Sequence, residues 1–136
     1  MSQAKASMWF FKKTKKKEQP AVVWLEEVES TNDEMRRLPT ENGQRISVVV
    51  ADFQCKGRGQ GTNTWESERR KNLLFSIKIR PVMVPVRCQF LLSMAGGLAI
   101  KDALDAYTAG ITLKWPNDVY WNDRKICGTL IETTLS

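Results

Sequence analysis

KWPNDVYWNDRKICG, residues 114–128, holds a strand end, a break and a hairpin in fifteen positions. ITLKW (111–115) reads as a strand that stops at Pro116, a residue with no N–H for a sheet ladder. VYW (119–121) and RKICGTLIETT (124–134) read as antiparallel strands joined at Asn122-Asp123, where Asn suits a positive φ. Gly128 interrupts the last strand, and a missing side chain there points to a bulge or a closely approaching ligand. Lys114, Asn117, Asp118 and Lys125 cluster around these pieces. Each also has a plain reading as a turn residue or a solvated lysine, so this stretch alone decides antiparallel structure and not chemistry.

Upstream, strands and helices alternate. AVVWLEEV (21–28) has the β-branched and aromatic content of a short strand. Ser30, Thr31 and Asn32 offer helix caps before DEMRRL, with Asp33 and Glu34 in the first turn, where the helix dipole favours acids. ISVVVA (46–51) is a continuous apolar run, typical of a strand covered on both faces. In NLLFSIKIR (72–80), Leu73, Phe75, Ile77 and Ile79 share one face and Ser76, Lys78 and Arg80 the other. A helix is expected over about residues 87–107, with Gly96-Gly97 costing roughly 1 kcal/mol per glycine and so pointing to close packing. The sum is an α+β domain, α/β mixed in its alternation, with a mostly antiparallel or mixed sheet packed against helices.

GRGQGTNTW (57–65) lies between two of these strands, with three glycines, one arginine and no apolar residue before Trp65. It is no Walker loop, because GK[ST] is absent, and no dinucleotide fingerprint, because no helix opens from it. A surface loop and a loop that closes on an anionic small molecule are both open readings. Its ends are held by the sheet, which is where functional loops concentrate.

Composition narrows the chemistry. The chain has 136 residues, 42% of them hydrophobic, which is enough for one domain that buries about two thirds of its surface. It has no histidine, which removes Ser-His or Cys-His pairs and His-ligated metals. Cys55, Cys88 and Cys127 are odd in number and widely spaced, reading as reduced thiols of a cytoplasmic protein. FLLSMAGGLAI (90–100) is too short to span a bilayer, and the N-terminal MWFF is no secretion signal. Of the net charge of +6, five charges lie in residues 1–20, leaving one for the other 116 residues. A basic, disordered tail over 1–20 is expected, and a nearly neutral body over 21–136 argues against a nucleic-acid partner.

Taken together and in order, these pieces resemble biotin–protein ligases. The resemblance runs from about Trp24 to Glu132. It is carried by Ser30-Thr31-Asn32, the Gln54-to-Trp65 loop with its GRG, Asn72-Leu73 leading to Ser76, Lys114-Trp115-Pro116-Asn117-Asp118, and Arg124-Lys125 with Gly128 and Glu132. It implies a class II synthetase-like biotin/lipoate ligase catalytic domain over 21–136. That domain is expected to be C-terminally truncated here, because the family continues past Glu132. The implied reaction joins biotin to ATP, with Mg2+ as the nucleotide's metal, giving biotinyl-5'-adenylate. The biotinyl group then passes to a lysine of a biotin carboxyl carrier domain of a carboxylase. A lipoate or octanoate ligase or transferase of the same fold, and a non-catalytic biotin or adenylate binder, are the alternatives.

The same resemblance implies roles. Ser30, Thr31, Asn32, Gln54, Gly57, Arg58, Gly59, Gln60, Lys125 and Gly128 would bind biotin; Asn63, Trp65, Lys114 and Asn117 would bind the adenylate. Arg58 and Lys125 would oppose the developing anion, and Asp118 would help the acceptor lysine lose its proton. No metal ligand set is expected from the protein. A familiar bacterial form of the loop reads GRGRRGRxW, whereas Gln60, Gly61, Thr62 and Asn63 stand here, so Arg69, Arg70 and Lys71 are the nearest replacement cations for the pyrophosphate.

Overall fold

The computed structural model describes residues 21–38, 46–80 and 84–134, and the expected tail lies outside them. Along the chain come β1 (Ala21–Leu25), α1 (Thr31–Arg37), β2 (Ile46–Ala51), β3 (Gly57–Arg58), β4 (Thr64–Trp65), β5 (Leu74–Ile79), α2 (Phe90–Asp105), β6 (Ile111–Lys114), β7 (Asp118–Trp121) and β8 (Arg124–Gly128). This is the mixed α+β architecture the alternation predicts.

The first layer is built around β2. The β1 strand runs parallel to it, Val23 opposite Val49, and a parallel neighbour requires a crossover, which contains α1. On its other side β5 runs antiparallel, Ser76 opposite Val49 and Leu74 opposite Ala51. The central position explains the unbroken apolar run: Val49, Val50 and Ala51 are buried, Val49 completely. A fully buried valine contributes about 1.5–3 kcal/mol. Helix α1 packs on β2 and β5 through Thr31 and Met35, both buried. Ser30 stands at its N-cap in extended backbone without a side-chain capping bond, while Asp33 and Glu34 occupy the first turn and Arg36 and Arg37 the last.

The alternation in β5 is real, but the side it buries is the polar one. Leu74 and Ser76 are buried toward α1, whereas Leu73, Phe75, Ile77 and Ile79 share the face away from it and remain exposed. Periodicity assigns residues to a face; which face is covered depends on where α1 lands. A groove of about 550 Å³ lies at one end of this layer, lined by Trp24, Asp52, Arg70, Lys71 and Leu73 among others.

The second layer is the antiparallel meander β6-β7-β8 with α2 on β6 and β7. Asn122 closes the β7–β8 turn with φ 51°, as its sequence suggests. The peptide bond before Pro116 is cis. The β8 strand ends at Gly128, and the irregularity falls two residues earlier: Val119 faces Cys127 and Tyr120 faces Lys125, so Ile126 is the extra residue of a bulge. In α2, a Cβ on Gly97 would meet Leu113 at 3.7 Å, so this glycine is packed against β6; one on Gly96 would meet nothing. Val119, almost fully buried, anchors this layer.

Candidate functional site

The glycine-rich stretch is an ordered hairpin. Gly57 pairs with Trp65 and Arg58 with Thr64, and the tip is closed by Gly59 N–H donating to Asn63 O at 2.8 Å and Asn63 N–H to Gln60 O at 3.1 Å. Glycine is required at 57, because a Cβ there would overlap the Trp65 carbonyl oxygen and crowd the Gln54 amide nitrogen at 3.2 Å. At Gly128 a Cβ would meet the Trp65 ring at 3.1 Å and Lys125 Cε at 3.4 Å. Both positions mark places where backbone is brought close to functional side chains.

On one side of the hairpin is a neutral polar cluster. Thr31 donates to Gln54 Oε1 twice, from its backbone N–H at 2.7 Å and its hydroxyl at 3.0 Å. The Ser76 hydroxyl lies 2.8 Å from Thr31 Oγ1 and also contacts Asn32 Oδ1. Thr31 and Ser76 are buried, and an isolated bridge between Val28 and Gln54 ties the loop to the chain ahead of α1. Gln54 is thereby fixed through its oxygen, leaving its amide nitrogen as a donor without a protein acceptor among the described residues.

At Trp65, in β4, stands an ion pair. Lys125 Nζ lies 2.8 Å from Asp118 Oδ1 and 5.4 Å from the centre of the Trp65 ring. These residues come from β8, β7 and β4.

A charged network spans the two. Arg58 grips Glu132 with both terminal nitrogens at 2.9 Å and donates to Asp33 Oδ1 at 2.8 Å. Glu132 also receives Asn32 Nδ2 at 2.9 Å and pairs with Arg36 at 2.6 Å. Partial burial pushes the Glu132 carboxyl up, but the bonds from Arg58 and Asn32 outweigh it and hold the group below its ordinary value. The same bond from Glu132 raises the Arg58 guanidinium.

Other sequence-predicted residues are placed differently. Gln60 and Asn63 are exposed at the hairpin tip. Lys114 lies over the Tyr120 ring at 5.6 Å, and Asn117 donates to Thr129 O at 2.9 Å while Thr129 N–H donates back at 3.0 Å. Asn117 thus fastens the segment after β8 to β7. Arg69, Arg70 and Lys71 each have a carboxylate partner, in Glu27, Asp52 and Glu68. The three cysteines are free, and burial pushes the Cys127 thiol up. Sequence reasoning gave no site role to Arg36, placed Asp33 only as a first-turn acid, and noticed Ser76 and Glu132 only as matching letters. A serine on the same parity as buried Leu74 is the signal that could have found Ser76.

Comparison with known proteins agrees with this geometry. Residues 24–136 match the model of the biotin/lipoate A/B protein ligase family. Biotin–protein ligase 2 of Arabidopsis thaliana is 33% identical over 120 residues, covering 83% of this chain and 35% of its own length. The biotin–[acetyl-CoA-carboxylase] ligase of Mycobacterium tuberculosis is 37% identical over 89 residues, covering 62% of this chain and 34% of its own. Among solved structures, the biotin protein ligase of Leishmania major in complex with biotinyl-5-AMP superposes with a TM-score of 0.74 at 32% identity, over 85% of this chain and 53% of that one. The chain therefore spans about a third of the curated relatives and about half of the solved structure. It belongs to the biotin/lipoate A/B protein ligase family.

Proposed function

We propose that this chain carries the site for ATP-dependent attachment of biotin to a lysine of a biotin carboxyl carrier domain, through biotinyl-5'-adenylate. The observation that carries the reading is the division of the site: a neutral set, buried Thr31 and Ser76 with half-buried Gln54, is joined by hydrogen bonds, and the Lys125 ammonium stands separately over Trp65. Biotin has the same division, a neutral ureido bicycle at one end and a carboxylate at the other. The dithiolane of lipoate has neither N–H nor C=O, so binding it would leave the Gln54 amide nitrogen without an acceptor, at about 1–3 kcal/mol. The relatives' own names, biotin ligases from a plant and a bacterium, support the same choice.

In the first step a biotin carboxylate oxygen bonds to the α-phosphorus of ATP and pyrophosphate leaves. The carboxylate is already ionised at neutral pH, so no base is needed, and a chain without histidine can do this chemistry. What is needed is position and charge neutralisation. Lys125 supplies the charge, and Trp65 supplies an aromatic face for the adenylate. Mg2+ arrives on the nucleotide's phosphates as part of the substrate. In the second step the acceptor amine attacks the acyl carbon and AMP leaves; Asp118, paired with Lys125, orients the Lys125 ammonium and takes the acceptor's proton.

Calorimetric titration with biotin and with lipoate, each with and without ATP, tests the reading. Biotin should bind at least roughly a hundredfold more tightly than lipoate, and more tightly still beside ATP. Equal or inverted preference would overturn it.

A further inference from the structure

We propose that Arg58 is a latch rather than the cation that meets the ligand. Gripped by Glu132 and Asp33, it holds the glycine hairpin against α1 and against the segment after β8. Lys125 is left as the charge facing the anion. This rests on the biotin reading for the ligand's identity, but the latch itself is a statement about the protein.

Three features of the geometry support it. First, the guanidinium fork that would receive a carboxylate already holds one: both terminal nitrogens are on Glu132 at 2.9 Å, and the second proton of one of them is on Asp33 at 2.8 Å. Second, the local charge is balanced, since Arg58 and Arg36 face Glu132 and Asp33, two cations against two anions. An arriving carboxylate would have to displace one already held there. Lys125, by contrast, has one carboxylate beside it, Asp118 Oδ1 at 2.8 Å, and its ammonium lies 5.4 Å from the centre of the Trp65 ring.

Third, the network joins three segments that are distant in the chain. Arg58 lies in β3, Asp33 and Arg36 in α1, and Glu132 after β8, 74 residues further on. Asn32 adds bonds to Glu132 at 2.9 Å and to Leu130 O at 3.4 Å. A lone exposed ion pair contributes little, but a bidentate arginine shared among several partners fixes geometry. Thr31 and Asn32, next to Asp33, belong to the neutral cluster, so opening the latch loosens one wall of the ligand site. Arg58 and Glu132 are therefore positioning residues.

The test uses the full chain and the variants Arg58→Ala, Arg58→Lys, Glu132→Ala and the double alanine variant. Binding of biotin and of its uncharged alcohol, biotinol, is titrated without ATP. A latch predicts that Arg58→Ala weakens both ligands equally, about tenfold, that Glu132→Ala does the same, and that the double variant is no worse than either single one. Arg58→Lys, which keeps the charge and loses the fork, should behave like alanine. Loss confined to biotin, with Glu132→Ala near wild type and Arg58→Lys retained, would overturn the proposal in favour of direct anion contact.

Amide hydrogen exchange without ligand gives an independent arm. The Gly59 and Asn63 amides should exchange faster in Arg58→Ala and Glu132→Ala while Val49 in β2 stays protected. Unchanged exchange at Gly59 and Asn63 would overturn the latch even if biotin binds. Failure of the wild-type chain to bind biotin would instead strike the proposed function and leave the latch to be judged by exchange.

Discussion

Lys125 Nζ sits 2.8 Å from Asp118 Oδ1 with the Trp65 ring centre 5.4 Å away, so one ammonium joins the β7–β8 hairpin to the end of the glycine hairpin. The proposed function makes it the cation that meets the ligand's negative charge. Lys125→Ala should slow adenylate formation by about 2–4 kcal/mol of lost transition-state stabilisation, while biotin binding without ATP falls much less. Pyrophosphate release under saturating biotin measures the first quantity and calorimetry the second. Equal losses in both would assign Lys125 to ground-state binding.

Asp118 is paired with Lys125, and the proposed function has it act through that ammonium. Asp118→Asn should lower adenylate formation, and its effect should be non-additive with Lys125→Ala, with a coupling of about 1–2 kcal/mol. Transfer from preformed adenylate to a carrier domain, followed separately, reads the second role. If Asp118→Asn leaves adenylate formation intact and slows only transfer, its proton-accepting role is the whole of its contribution.

The Gly57 backbone has no room for a methyl group beside the Trp65 carbonyl. Gly57→Ala should therefore cost at least about 2 kcal/mol, a fall of roughly 5–10 °C in Tm. Gly128→Ala, whose Cβ would meet the Trp65 ring at 3.1 Å, should leave Tm nearly unchanged and displace the indole, seen as a shift in tryptophan fluorescence. A tolerated Gly57→Ala would mean that the β3–β4 pairing is looser than described.

The charged network predicts a pH signature. Glu132 is held below its ordinary value of 4.5 in the folded chain, so its contribution is complete above that value and is lost as pH falls through the lowered folded one. Removing the bond with Arg58→Ala should lower stability near neutral pH by at most about 1 kcal/mol, given the partial exposure of the pair. The difference from wild type should shrink below pH 4.5. A difference that persists or widens in acid would show that Glu132 is not the group being stabilised.

Much of the fold is legible in short stretches. The run ISVVVA announces a central strand, and Asn122-Asp123 announces the turn it makes. What could not be read is set by long-range placement. The apolar parity of Phe75, Ile77 and Ile79 names a face but not the side on which α1 packs. The hairpin at Gly57–Trp65 has almost no apolar content to advertise a strand, since its pairing depends on Gly57 fitting under Trp65. The Arg58–Glu132 pair crosses 74 residues, and no local pattern predicts which carboxylate an arginine will meet.

The central claim is that this site activates biotin as an acyl-adenylate. The direct measurement is to incubate the full chain with biotin and Mg-ATP and identify the bound product by mass spectrometry. The account predicts biotinyl-5'-adenylate with stoichiometric pyrophosphate, its formation strongly reduced in Lys125→Ala. No adenylate from biotin at saturation, or an adenylate formed from lipoate instead, would contradict it.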